Sequence, residues 1–229
     1  TKYFYVKEKE IEEELVSIRS MMERSSKFIS LSGLSGILAG VYALIGAGFA
    51  YKMLYNNKPS GFNPFTPKIK NELPHDSFYF DDFHNYSFRI TIPALLLLAF
   101  LILIASIITA IILAKRKAKR KGQPIWGKIS RALLFHTAIP LISGGVLTLI
   151  FISRGYYDII APATLVFYGL TLVSASNFTY TMVKYLGLCE IALGLIAACL
   201  PGYGLLFWAI GFGVLHIIYG SLMYFKYDK

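Results

Sequence analysis

YLGLCEIALGLIAACLPGYGLLFWAIGFGVLHIIYGSLMYF, spanning Tyr185 to Phe225, decides the fold. It consists of two apolar runs divided by Pro201-Gly202-Tyr203-Gly204, with Lys184 and Lys226 at the outer flanks. A helix needs about 20 apolar residues to cross a hydrocarbon core about 30 Å thick. Two such runs joined by a Pro/Gly turn read as a membrane hairpin. Glu190 lies inside the first run and His216 inside the second. Ionisable groups are costly at such positions, which makes both candidate functional residues.

Outward from this hairpin the same pattern recurs. The apolar runs predict spans at about 28–54, 88–114, 129–152, 159–176, 185–200 and 205–225. The expected fold is all-α: a six-span transmembrane helical bundle of three hairpins over 28–225, with an N-terminal cytoplasmic amphipathic helix over 1–27. One long extracytoplasmic loop, 55–87, interrupts it. The second run, LLLLAFLILIASIITAIILA, is apolar on every side and is expected to face lipid.

The chain of 229 residues is 55% hydrophobic and 16% charged, less charged than a typical soluble domain. Its net charge of +10 would suit nucleic acid if it were spread over a surface, but it is concentrated beside an apolar run. Lys115-Arg116-Lys117-Ala118-Lys119-Arg120-Lys121 holds six basic residues directly after the second span. That is the positive-inside pattern, and such a segment also attracts anionic lipid headgroups. Lys184, Lys226 and Lys229 fall on the same side, and the 55–87 loop on the other. The orientation expected is a multi-pass protein of the bacterial inner membrane with both termini cytoplasmic.

Two sets of residues predict helix contacts. Ile11, Leu15, Ile18 and Met22 form an apolar seam on the N-terminal helix, suited to its own cytoplasmic face, the lipid surface or self-association. Ser32, Gly36, Gly40, Ala43 and Ala47 form a small-residue stripe on the first span, and Gly187 and Gly194 flank Glu190 on the fifth. Small residues four apart let helix backbones approach closely in lipid. Cys189 and Cys199 are about 15 Å apart along one helix and are expected to pack as small apolar residues rather than to bridge.

Gly33-Leu34-Ser35-Gly36-Ile37-Leu38-Ala39-Gly40 aligns with Gly187-Leu188-Cys189-Glu190-Ile191-Ala192-Leu193-Gly194. Phe167-Tyr168-Gly169-Leu170 echoes Ile218-Tyr219-Gly220-Ser221. The third hairpin, with Gly187, Gly194, Pro201, Gly211 and Gly220, resembles the hairpin unit of the HdeD-type acid-resistance membrane proteins. That resemblance implies a six-helix, three-hairpin protein of the bacterial inner membrane. It covers about forty residues and carries over no site residues; the charged N-terminal helix and the long loop depart from the family's pattern. The whole chain also resembles small polytopic bacterial membrane proteins, which adds a class and no activity.

Glu190 shares a face with Gly187, Gly194 and Ala197 and so is expected to point into the bundle. His136 lies at a similar depth, and His216 near the midplane on the next helix. A buried hydrogen bond pinning the helices, or a proton-responsive or ion-binding pair, fits these residues. His136 and His216 lie at different depths with no other haem cue, so no cofactor is expected. His75, Asp76, Asp81, Asp82 and His84 are metal-ligand types in no defined spacing, so no metal is expected. No P-loop, Gly-x-Ser-x-Gly, His-Glu-x-x-His or Cys-x-x-Cys motif occurs, so no catalytic residue is assigned. The function expected is that of a non-enzymatic integral membrane interaction or accessory protein. Its partners would be the lipid bilayer, a second copy or another membrane protein, and no nucleic acid. The alternative is a small proton- or ion-coupled transporter or channel with Glu190 in its path.

Overall fold

The computed structural model describes residues 32–55, 78–120, 122 and 126–228, together with Ile18. These form α1 (Gly33–Tyr55), α2 (Phe78–Arg120), α3 (Lys128–Ser153), α4 (Ile160–Ala175), α5 (Met182–Cys199) and α6 (Gly204–Tyr227). A short 3₁₀ turn, Tyr157–Ile159, leads into α4, and no strand occurs among the described residues. Six of these helical stretches are long and apolar enough to cross a membrane: Gly33–Leu54, Pro93–Arg120, Lys128–Ser153, Tyr157–Ala175, Met182–Cys199 and Gly204–Tyr227. The chain is thus a helical bundle with the composition of a multi-pass membrane protein. Of the N-terminal seam only Ile18 is described, and it is exposed; Ile11, Leu15 and Met22 lie outside the described residues.

α2 is longer at both ends than its apolar run. It begins at Phe78, where a loop to 87 was expected, and no glycine or proline from 75 to 92 interrupts it. It continues through the basic cluster to Arg120, because lysine, arginine and alanine are good helix formers and cations suit a helix C-terminus.

The helices pack in a chain of neighbours. α2 lies on α1, α1 on α6, α6 against α5 and the α4–α5 pair, and α3 on α4. α1 with α6 and α4 with α5 are the two most extensive contacts, and they are nearly equal. α2 and α3 are the outer members, and the exposed Leu97, Phe100, Ile108, Phe135, Ile142 and Leu149 give them apolar outer faces.

The two large contacts are built alike. A Cβ added at Gly187 would stand 2.7 Å from Gly169 O, and one at Gly169 would stand 2.6 Å from Gly187 O. In the other pair a Cβ at Gly36 would meet Gly220 Cα at 3.1 Å, and one at Gly40 would meet Gly213 O at 2.6 Å. Distances this short leave room only for glycine, so backbone lies on backbone and dispersion contacts replace the missing hydrophobic drive. Gly36 and Gly40 of the small-residue stripe on α1 therefore meet α6 of the same chain, and Ala43 and Ala47 of that stripe are buried, with Ala50 beyond them. The internal repeat has a structural counterpart: α1 stands to α6 as α5 stands to α4.

Pro140 interrupts α3 and cannot donate to the carbonyl of His136, four residues earlier. Ser174 Oγ on α4 donates to that carbonyl at 3.1 Å. The break in one helix is thus mended by a side chain of its neighbour, as apolar surroundings demand.

At one end of the bundle several segments converge on Asp228. Ser32 Oγ and the Gly33 backbone N–H donate to Asp228 Oδ2 at 2.9 and 2.8 Å, and the Lys117 ammonium pairs with Oδ1. Lys117 also lies over the Tyr180 ring at 5.5 Å, and Tyr180 packs on Tyr227 with ring centroids 4.3 Å apart. The start of α1, the ends of α2 and α6, and the α4–α5 connection therefore share one face of the bundle.

Candidate functional site

Glu190, on α5, is fully enclosed, with 0% of its surface accessible. It projects from the face that carries Gly187, Gly194 and Ala197, the inward stripe of α5. Cys189 and Cys199 occupy the opposite side of that helix and are exposed. Their place on the helix turn, more than a quarter turn from the glycine face, keeps them out of that contact, and both are free.

Opposite Glu190, α6 changes its winding. Residues Ala209–Leu215 form a π-helical turn between two α-helical segments. Such turns are rare and recur at functional sites. Gly211 lies in it, and a Cβ there would stand 2.5 Å from both Glu190 Oε2 and Leu165 Cδ2. Only glycine lets the α6 backbone come this close to the carboxyl group. His216 follows directly and is 6% accessible.

The His216 ring is held at both nitrogens. Nδ1 lies 3.0 Å from Gly211 O and Nε2 lies 2.8 Å from Tyr168 Oη on α4. A carbonyl oxygen only accepts, so Nδ1 carries a hydrogen, and in the neutral ring Nε2 accepts from the Tyr168 hydroxyl. Glu190 Oε1 stands 3.4 Å from the same Nδ1. Neither carboxyl oxygen of Glu190 makes a hydrogen bond. Tyr168, Phe212 and Trp208 stack beside the imidazole, with Phe212 4.8 Å from Tyr168 and 4.9 Å from Trp208 between ring centroids. They wall the cluster with apolar surface.

A carboxylate enclosed in this way without a donor would cost several kcal/mol. The pair avoids net charge with one proton in either of two places. Carboxylic acid beside neutral imidazole, or carboxylate beside imidazolium, each sums to zero. Moving the proton from Glu190 to His216 turns Tyr168 from donor to acceptor at Nε2. The arrangement can therefore hold one proton on either partner; on His216 it sits at Nε2, the nitrogen away from Glu190, with a reversed hydrogen bond to α4 as the consequence.

The structure brings Glu190 and His216 together and leaves His136 apart. His136 is exposed on α3, stacked on Phe178 at 5.1 Å. Matching depth does not imply meeting: α3 packs on α4, and the His136 ring lies on Phe178 of the α4–α5 connection. Tyr168 is the member that sequence reading did not single out. Its one sign is its place before Gly169 in the tetrapeptide that echoes Ile218–Ser221. Among the described residues no group of three or more His, Cys, Asp or Glu gathers to hold a metal. The side chains of His75, Asp76, Asp81, Asp82 and His84 lie outside the described residues.

No protein-family model, curated protein or solved structure matches the chain.

Proposed function

We propose that the chain is a non-enzymatic multi-pass protein of the bacterial inner membrane, with both termini cytoplasmic, that acts through contacts with other membrane components. In this reading Glu190, His216 and Tyr168 form a closed polar pin that fixes α4, α5 and α6 and keeps the outer helices in place for those contacts. What supports it is the enclosure of Glu190, whose accessible surface is 0% and whose neighbours on α6 approach to glycine distance. A conducting path needs polar groups in series, and this cluster is walled by Leu165, Phe212 and Trp208. Self-association through the N-terminal seam is part of the proposal, since the α1 glycine stripe is already occupied by α6.

One observation favours a second reading, a small proton- or ion-coupled transporter. Both Glu190 oxygens lack a donor, beside a histidine, at a π-turn. Reconstitution in vesicles containing a pH-sensitive dye separates the two. The interaction reading expects no proton or alkali-cation flux above empty vesicles, and no difference between wild type and Glu190→Gln. Flux that Glu190→Gln abolishes would replace it with transport. Cysteines at Ile11, Leu15, Ile18 and Met22 should cross-link between copies more than cysteines at Glu12 and Glu14. Equal yields all round would remove the seam as a dimer contact.

A further inference from the structure

The basic cluster that ends α2 is divided between two surroundings. Lys117 turns inward to Asp228 and the Tyr180 ring, and Ala118 beside it is completely buried. Arg116, Lys119 and Arg120 border an open surface hollow of about 400 Å³. Their spacings of three, four and one put them on adjoining parts of one helix surface. All three are exposed, and none has an acidic partner among the described residues.

Three cations around one hollow repel one another, and the helix C-terminus offsets only about half an elementary charge. The site is therefore short of negative charge by more than one unit. The hollow is open on one side, and its several hundred Å³ is more space than a single phosphate fills. Its position narrows the ligand further. One turn back from Arg116 stands Ile112, 45% accessible, and another turn back Ile108, 52% accessible. The basic hollow thus lies one helical turn from an exposed apolar track of a membrane span.

We propose that Arg116, Lys119 and Arg120 bind the headgroup of a phospholipid bearing two phosphodiester groups, with its acyl chains along Ile112 and Ile108. The arginines supply planar, bidentate donors to phosphate oxygens, and Lys119 a compact charge between them. The ligand braces α2, whose extensive helix contact is with α1. Soluble polyphosphate anions share the headgroup chemistry but gain nothing from the isoleucine track.

The full-length protein, stripped of lipid in mild detergent, is titrated while bound adducts are read by native mass spectrometry. The probes are a tetra-acyl lipid with two phosphates, an anionic lipid with one, a zwitterionic lipid, and inorganic pyrophosphate. The two-phosphate lipid should bind most tightly. Each cation near a membrane surface changes affinity roughly fivefold, so Arg116→Gln/Lys119→Gln/Arg120→Gln should weaken it on the order of a hundredfold. Lys128→Gln/Lys184→Gln/Lys226→Gln removes the same charge elsewhere and should leave binding within about twofold. Arg116→Lys/Lys119→Arg/Arg120→Lys keeps all three charges but moves the bidentate donors, and should weaken binding less than the neutralising triple at the same positions. Equal loss from both neutralising triples would reduce the effect to net charge and overturn the site. Zwitterionic lipid binding as well as the two-phosphate lipid would also overturn it. Pyrophosphate binding as tightly as the lipid would overturn the lipid assignment.

Discussion

Glu190 Oε1 lies 3.4 Å from His216 Nδ1, and both residues stand where the internal repeat is broken. The alignment that sets Gly33–Gly40 against Gly187–Gly194 puts Glu190 at the place of Gly36. The one that sets Gly169 against Gly220 puts His216 at the place of Leu165. In the α1–α6 contact Gly36 faces α6 backbone directly. At its counterpart on α5 the carboxyl group reaches across to α6 instead. Each copy thus contributes one ionisable residue, Glu190 from the α4–α5 pair and His216 from the α1–α6 pair, and they meet beside the π-turn of α6.

Replacing Glu190 distinguishes a pin from an ion pair. Glu190→Gln keeps the shape and one acceptor, and as a pin should stay within about 1 kcal/mol of wild type. Glu190→Ala removes the contact and leaves a cavity, and should cost about 2–4 kcal/mol. Thermal melting in detergent reads both. An ionic partnership with His216 would make both variants unstable, and a Glu190→Ala protein that melts with the wild type would end the idea of a structural role.

The spans, the stripe on α1 and the inward face of α5 were readable because each is a local periodicity within one helix. What was hidden depends on which helices meet. A glycine stripe fits any other small-residue stripe, so α6 could not be named as the partner of α1. Depth compares residues along the membrane normal and says nothing about direction around the helix axis, which is why His136 looked close to Glu190. Tyr168 in an apolar span reads as one more aromatic until a histidine nitrogen is found 2.8 Å from its hydroxyl. The second span was expected to end at 114, before the basic run, because charge statistics locate a membrane face without reporting whether the chain there is helical.

The glycine contacts predict an unequal response to one chemical change. Gly169→Ala, Gly187→Ala, Gly40→Ala and Gly220→Ala each place a methyl group on backbone of the facing helix. Each should lower stability by about 1–3 kcal/mol. Gly48 and Gly145 have nothing within 4 Å of an added Cβ. Alanine there should be neutral or stabilise by up to about 1 kcal/mol, through helix propensity. Similar losses at all six positions, measured by melting in one detergent, would contradict the packing described.

Ser174 and Pro140 should behave as a coupled pair. Ser174→Ala strips the His136 carbonyl of its donor and should cost about 0.6–1.7 kcal/mol, the range for hydrogen bonds between membrane helices. Pro140→Ala supplies a backbone N–H to the same carbonyl. In that background Ser174→Ala should cost little. A double-mutant cycle with no coupling would mean that the serine does not mend the break.

Asp228 predicts an acid-sensitive clamp at one end of the bundle. Burial pushes its carboxyl upward, but hydrogen bonds from Lys117, the Gly33 N–H and Ser32 outweigh this and hold it below the usual carboxylate range. A carboxyl group with a lowered value in the folded state binds its proton more readily when unfolded. Its contribution is therefore complete above the unfolded value, about 3.9, and is lost as pH falls through the lower folded one. Asp228→Asn keeps one acceptor oxygen and loses the charge, and near neutrality should cost about 1–3 kcal/mol. The difference from wild type should shrink as pH is taken below about 4, because the wild type then loses the same charge. Lys117→Gln should reduce the effect of Asp228→Asn when the two are combined, and high salt should reduce it only in part, since both side chains are largely covered. A pH-independent gap between the Asp228→Asn and wild-type melting curves would show that the carboxylate charge does not tie the ends of α1, α2 and α6 together.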